Sequence, residues 1–247
     1  MERLIGRFWV REFEKIFIIG DGKVANSCKK IAQNFFNKEV SKIDTSNINN
    51  LDQILNSIKN SFIISANNFY IFKKECVENN FIINYHNSLL PKHKGSNAHI
   101  WAIWENDKKT GITWHKVDCD IDTGDIIIQK EITLDDTFTA IKLLQLQSNL
   151  AINSFEECLN KIYKNSPYKK QDKNNSYHKK NELPNNGILD ISWDKNKISR
   201  FLRSMDNGNL TNKAKINISN HEYEISFFNI NENNIELNVE NIVIIKN

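Results

Sequence analysis

Asn84 and His86 stand two residues apart at the end of an apolar run, Phe81-Ile82-Ile83-Asn84-Tyr85-His86. Alternate residues of an extended chain point the same way. An amide and an imidazole side by side donate hydrogen bonds to one oxygen, which is what the tetrahedral intermediate of an acyl transfer needs. Asn87-Ser88-Leu89-Leu90-Pro91 follows, and Pro91 fixes the loop. Further along, Asp118-Cys119-Asp120-Ile121-Asp122-Thr123-Gly124-Asp125 is a carboxylate-rich loop. A carboxylate beside an imidazole orients it and accepts a proton during nucleophilic attack. No serine–base pair and no reactive-cysteine setting stands out, so direct transfer between two bound substrates fits better than a covalent acyl-enzyme.

These residues need a frame. Lys15–Ile19, Glu39–Ile43, Phe62–Ser65 and Phe81–Tyr85 read as buried strands, separated by helical spacings around Val24–Phe35, Leu51–Ile58 and Phe72–Asn79. Alternating strands and helices, with strands apolar on both faces, predict a doubly wound, mostly parallel α/β sheet. In such sheets ligands bind at the carboxyl ends of the strands, where Asn84 and His86 lie. Ala98–Trp104 predicts a helix, Thr110–Val117 and Asp125–Gln129 strands, and residues 137–162 a long amphipathic helix. The expected organisation is a catalytic domain over 1–162, an exposed crossover over 163–187 and a small C-terminal β-rich region over 188–247. That last region opens with a helix around Lys197–Met205, and strands follow at Ala214–Ile218, Tyr223–Phe228, Ile235–Val239 and Ile242–Ile245.

Composition bounds the function. The chain has 247 residues, a net charge of +3 and 40% hydrophobic residues. Its mean hydropathy is -0.53 and its pI about 8.5. No apolar run is long enough for a membrane span, and no secretory signal opens the chain at Met1–Arg7. The charge excess does not demand a nucleic acid; the basic stretch Lys169–Lys180 reads as a solvated loop. Cys28, Cys76, Cys119 and Cys158 are widely spaced without a zinc-ligand rhythm, which points to a reduced, cytoplasmic chain and no metal. Gly20-x-Gly22-x-x-Ala25 after a strand, with Asp44 further on, matches a dinucleotide fingerprint. A nicotinamide oxidoreductase is therefore an alternative, although any doubly wound fold needs a tight first turn.

The Asn-x-His-x-Ser-Leu-Leu-Pro stretch from Asn84 to Pro91, with the Asp-x-Gly at Asp122–Gly124, resembles the folate-dependent formyltransferases. The resemblance is strongest over residues 60–135. It implies a catalytic set of Asn84, His86 and Asp122: the first two hydrogen-bond the formyl oxygen as it becomes an oxyanion, and Asp122 pairs with His86 and helps remove a proton from the attacking amine. His115 falls where several relatives also carry histidine. The implied co-substrate is N10-formyltetrahydrofolate, with Phe69, Tyr70, Ile71, Phe72 and Leu90 on one side of its pocket and Asp118, Cys119, Asp120 and Ile121 on the other. Asn87 and Ser96 depart from the family's usual proline or glycine and arginine.

Gly187–Trp193 and Ile198–Gly208 resemble the segment after the crossover in the nucleotide-sugar N-formyltransferases. This implies a dTDP-linked amino-dideoxyhexose acceptor, formylated at C3 or C4 for a surface polysaccharide such as an O-antigen, and a homodimeric enzyme. Lys92, His93, Asn97, Trp101, Arg200, Arg203 and Asn207 are the expected substrate contacts. A methionyl-tRNA formyltransferase is a second possibility, and a binding module that lost its chemistry a third.

Overall fold

A computed structural model describes residues 2–5, 8–46, 48–172, 176–231, 234–240 and 242–246. Met1, Gly6 and Arg7 of the amino terminus and residues 173–175 of the basic stretch lie outside that description. The chain opens with a hairpin, β1 (Glu2–Ile5) and β2 (Phe8–Arg11), that the sequence patterning did not anticipate. Then follow β3 (Ile16–Ile19), α1 (Gly22–Phe36), β4 (Val40–Ile43), α2 (Ile48–Ser57), β5 (Phe62–Ser65), α3 (Lys74–Asn79) and β6 (Phe81–His86). After β7 (Lys94–Gly95) and α4 (Ala98–Trp104) come β8 (Lys109–Lys116), β9 (Ile126–Thr133) and the long α5 (Ala140–Tyr163). The remainder is β10 (Tyr177–His178), a 3-10 turn at Pro184–Gly187, β11 (Ile188–Leu189), α6 (Lys195–Met205), β12 (Lys215–Ile218), β13 (His221–Ile230), β14 (Ile235–Val239) and β15 (Ile242–Lys246).

Packing divides the chain into two compact units that interleave along the sequence. One is Met1–Lys94, Gly111–Glu131 and Gln147–Ser176; the other is Gly95–Thr110, Ile132–Leu146 and Tyr177–Asn247. The expected division at 162 and 187 follows chain order, whereas these units follow contacts.

The first unit holds a six-stranded sheet in the order β4-β3-β5-β6-β8-β9, parallel from β4 to β6, with β8 antiparallel to β6. Its inner strands β3 and β5 are short and apolar on both sides because helices cover both faces. Alternation assigns the faces: Ile16, Ile18, Phe62, Ile64, Ile83 and Tyr85 join one core with α1 and the later turns of α5, through Val24, Cys28, Phe155 and Leu159. Ile19, Ile63 and Ile82 join the other with Leu51, Leu55 and Cys76 of α2 and α3. Asn84 and His86 continue the side of Ile82, so they leave the sheet on the face of α2 and α3.

The second unit packs α4 and α6 against a five-stranded sheet, β11-β12-β13-β14-β15. Phe201, Leu202, Ile216, Ile235 and Leu237 fill its core. Asp194 caps α6, its carboxylate accepting the Lys197 N–H.

The described residues of the crossover are largely exposed, yet particular backbone atoms anchor it. Lys169 exchanges two backbone hydrogen bonds with Ile126, at 2.7 and 2.9 Å, and Ser96 N–H donates to the His178 carbonyl at 2.9 Å. Polar composition hid this because the anchoring groups are backbone atoms, which no residue type reveals. Among the described residues, no helix is long and apolar enough to cross a membrane.

Candidate active site

Register builds the site. Ser65 of β5 pairs with Asn84 of β6, and Asn84 with His115 of β8. Three polar side chains thus form one cross-strand row near the carboxyl end of the parallel strands. His86 lies two residues beyond Asn84 on the same face. Asp122 arrives from the loop after β8. Gly124 lets that loop fold back: a Cβ there would sit 1.8 Å from the Lys116 carbonyl oxygen. The glycine of the Asp-x-Gly pattern is therefore a requirement of close approach.

Asn84, His86 and Asp122 converge. His86 Nδ1 is 3.3 Å from Asp122 Oδ2, and Asn84 Nδ2 is 3.4 Å from Asp122 Oδ1. His115 joins them, with Nε2 3.3 Å from Asp122 Oδ1 and 3.3 Å from Asn84 Nδ2. Ser65 Oγ–H donates to Asn84 Oδ1 at 2.7 Å. That bond consumes the acceptor end of the amide and turns its two N–H groups toward Asp122 and His115. Asn68, which donates to Ser65 Oγ at 3.2 Å, extends the chain of bonds.

Carbonyl partners assign the imidazole protons. His86 Nε2 lies 2.8 Å from the His93 backbone oxygen, and His115 Nδ1 lies 2.9 Å from the Lys116 oxygen. A carbonyl only accepts, so each of these nitrogens carries hydrogen. In their neutral forms both rings turn their lone-pair nitrogen toward Asp122. A proton that reaches Asp122 can be shared across those contacts. Burial holds the His86 imidazole below its ordinary range; Asp122 opposes this and His115 adds to it. His86 is 4% exposed and His115 2%.

The loop 66–73 presents the remaining candidates on this unit. Phe69 and Ile71 are 77% and 60% exposed. Phe72 is buried, and the Tyr70 hydroxyl donates to Asp52 at 2.5 Å. Burial raises the Tyr70 phenol above its usual range, and Asp52 adds to it. Leu90 is buried; its N–H donates to Thr113 Oγ1 and its carbonyl accepts from Gln129. Asp118 ties its own loop, accepting from Thr123 Oγ1 and the Asp120 N–H. Cys119 and Asp120 are exposed and Ile121 half-buried.

Among the proposed substrate contacts, Lys92 is exposed and His93 buried in the first unit. The others belong to the second. Asn97 begins α4, with its amide on the Lys180 carbonyl, and Trp101 stacks on His178 at 4.0 Å. Arg200 is half-buried. Arg203 and Asn207 are buried and committed to protein partners: Arg203 to Asp136 and the Phe138 carbonyl, Asn207 to His99. Burial drives the His99 imidazole down to about 4.

Sequence reading did not single out Ser65. Its signal was a serine closing an apolar strand, which is common. It also missed Gln171, whose Nε2 donates to the carbonyls of Asp122 at 2.9 Å and Gly124 at 2.7 Å.

A family model described as formyl transferase matches residues 20–154, more than half of the chain. The GDP-perosamine N-formyltransferase of Brucella melitensis is 36% identical over 123 residues, 50% of this chain and 47% of that protein. The methionyl-tRNA formyltransferase of Clostridioides difficile is 39% identical over 80 residues, 32% of this chain and 26% of that protein. The chain thus spans about half the length of the first relative and about a quarter of the second. The structure of a Helicobacter canadensis N-formyltransferase, in complex with folinic acid and dTDP-3-aminofucose, superposes with a TM-score of 0.67 at 22% identity, over 94% of this chain and 97% of that one. At that identity the likeness is one of fold.

Proposed function

Since this chain belongs to the formyl transferase family, we propose that it moves a formyl group from N10-formyltetrahydrofolate to the amine of a nucleotide-linked amino sugar. The observation that carries this reading is the meeting of Asn84, His86 and Asp122 around one point at the sheet edge. A donor amide, an imidazole and a carboxylate in mutual contact are the parts that direct acyl transfer to an amine needs.

The residues fit a folate. Phe69 and Ile71 expose apolar side chains beside the strand that carries Ser65, and a flat ring system would cover that surface. Bound there, the folate supplies an electrophilic formyl carbon. The rest falls to the protein. Asn84 Nδ2, its oxygen held by Ser65, exchanges one of its two contacts for the carbonyl oxygen and donates to it as it gains charge. His86 Nδ1, without hydrogen in the resting site, becomes the second donor when the proton that Asp122 takes from the amine is shared with it. Asp122 takes the proton that the amine must lose when the carbon–nitrogen bond forms, and returns it toward the departing nitrogen. The His93 carbonyl holds the His86 ring in place throughout.

An amino-sugar acceptor is favoured by the Brucella relative, whose match extends over half of this chain. The Helicobacter structure with its dTDP-amino sugar supports a nucleotide diphosphate carrier, and dTDP is the carrier we propose. A surface polysaccharide is the destination this chemistry suits. The likeness to methionyl-tRNA formyltransferases keeps charged initiator tRNA as the second reading. A homodimer in the cytoplasm remains part of the proposal. The deciding experiment offers the protein formyl-folate with dTDP-, UDP- and GDP-linked 3- and 4-amino sugars, and separately with charged initiator tRNA. Mass spectrometry should find one formyl group gained by an amino sugar. Formylation of the tRNA alone would transfer the proposal to the second reading.

A further inference from the structure

Two residues of the site stand in the left-handed backbone region without being glycine: Asp122 at φ 53° and His93 at φ 53°. Side chains rarely adopt that conformation, and it persists only where surrounding structure holds it. Two residues of the crossover hold them, Gln171 at Asp122 and Ser176 at His93. Gln171 uses both amide hydrogens on the carbonyls of Asp122 and Gly124. Its own Oε1 is buried without a hydrogen-bond partner, a cost that calls for a return. Ser176 Oγ accepts the His93 N–H at 2.8 Å and lies 3.4 Å from His93 Nδ1. The Ser176 carbonyl accepts the Lys94 N–H at 2.8 Å, and Lys169 anchors the start of the stretch on Ile126.

We propose that Gln171 and Ser176 of the crossover set the geometry of the reaction as positioning residues. Gln171 fixes the backbone on which the Asp122 carboxylate is mounted. Ser176 fixes His93, whose carbonyl holds the proton on His86 Nε2 and so turns Nδ1 toward Asp122. Two side chains thereby bear on the two sides of the His86–Asp122 contact. Neither side chain reaches the reacting atoms. The inference rests on the formyl-transfer reading for its kinetic consequence, but not for its structural one.

Gln171→Leu keeps the bulk and removes both donors. Ser176→Ala removes the hydroxyl, and Ser176→Thr restores it. With substrate and formyl-folate, Gln171→Leu should lower kcat by about tenfold or more and Ser176→Ala by about tenfold, the scale of one lost buried hydrogen bond. KM should stay within about twofold, and threonine should recover most of the loss. Lys170→Ala, on an exposed neighbour, serves as the control. Nitrogen-15 spectra of the imidazoles, recorded without substrate across the titration of His86, provide the second readout. The groups facing His86 are Asp122, His115 and His93. The wild type should show hydrogen on His86 Nε2 and on His115 Nδ1, and Ser176→Ala should mix the His86 tautomers. If Gln171→Leu does not fold, the serine pair decides. Unchanged kcat together with unchanged imidazole spectra in folded variants overturns the proposal, as does a loss in Ser176→Ala that threonine fails to rescue. Should the wild type formylate no acceptor, the function assigned above fails, while the spectra still decide the positioning role.

Discussion

β3 and β6 run parallel and end at the same edge of the six-stranded sheet, and both end in residues with a chemical reading. At β3 these are Gly20-Asp21-Gly22, with Asp44 at the end of β4. At β6 they are Asn84 and His86. The structure treats the two ends differently. Asp21 accepts from Lys42 and Thr45, and Asp44 accepts from the N–H and hydroxyl of Ser46. Both carboxylates are exposed or nearly so, and those hydrogen bonds hold them below their ordinary range. At β6 the polar groups are buried or half-buried and aimed at one another across three strands and a loop. Residue type and spacing nominate a site; desolvation and mutual aim strengthen the nomination, because a charge is worth far more where water is excluded.

The sharpest way to break this contrast is Asp122→Asn. The amide cannot take the amine's proton, so turnover should fall by about 10²–10⁴-fold. Near-normal turnover, measured by formyl transfer to the amino sugar, would remove Asp122 from the chemistry and leave the β6 end no better founded than the β3 end.

Gly20→Ala tests the opposite claim, that the β3 glycine serves packing. Gly20 sits at φ 123°, and an added Cβ would lie 1.8 Å from the Ala66 carbonyl oxygen. The chain must shift there, so stability should drop by about 3 kcal/mol, roughly 6–12 °C in melting temperature. An unchanged melting curve would mean the turn is not constrained as described.

The difference in legibility between these regions is physical. The period of two along β6 placed Asn84 and His86 on one face, and the apolar runs gave the parallel sheet, because both follow from local sequence. His115 joined the cluster through register, which pairs it with Asn84 across strands far apart in the chain. Ser65 did so in the same way, and no short window contains that information. The crossover was least legible. Its polar composition reads as solvated chain, yet the groups of Gln171, Ser176 and Lys169 that act there meet backbone atoms, whose partners composition does not encode. The same blindness let the β3 motif look stronger in sequence than its exposed carboxylates make it.

Ser65→Ala sharpens the β6 side further. Without the 2.7 Å bond, the Asn84 amide loses the partner that orients it. Turnover should fall about tenfold, in line with one buried hydrogen bond, while folate binding changes little. A loss equal to that of Asn84→Ala would show that the hydroxyl does more than orient; no loss would show that the amide is held by Asp122 and His115 alone.

The two ends should also separate by pH. The depressed His86 imidazole stays neutral in the folded chain while the unfolded chain takes up a proton below its usual 6.5. Its burial therefore costs stability as pH falls through that value. Asp21, depressed below 3.8, contributes stability that is lost only as pH falls under that value. Denaturation measured across pH should show His86→Gln flattening the limb that begins near 6.5, with a remainder from His99. Asp21→Asn should alter the acid limb alone. An Asp21 effect near neutrality would contradict the exposed, locally bonded carboxylate seen at β3.

Asp44→Ala should do least of all. If β3 bound a dinucleotide, this acid would hold the ribose, and its loss would weaken NAD binding specifically. Instead Asp44 closes a turn on Ser46 and is solvent-exposed. We expect turnover within about twofold of wild type, since surface changes away from a site rarely exceed about 0.5 kcal/mol. NAD should leave the melting temperature of both proteins unchanged, whereas a folate should raise both equally, because only a ligand that binds the folded chain stabilises it. A melting shift with NAD that disappears in Asp44→Ala would reverse the comparison: the exposed end would then be a binding site as well, and burial would no longer separate a motif that acts from one that only turns the chain.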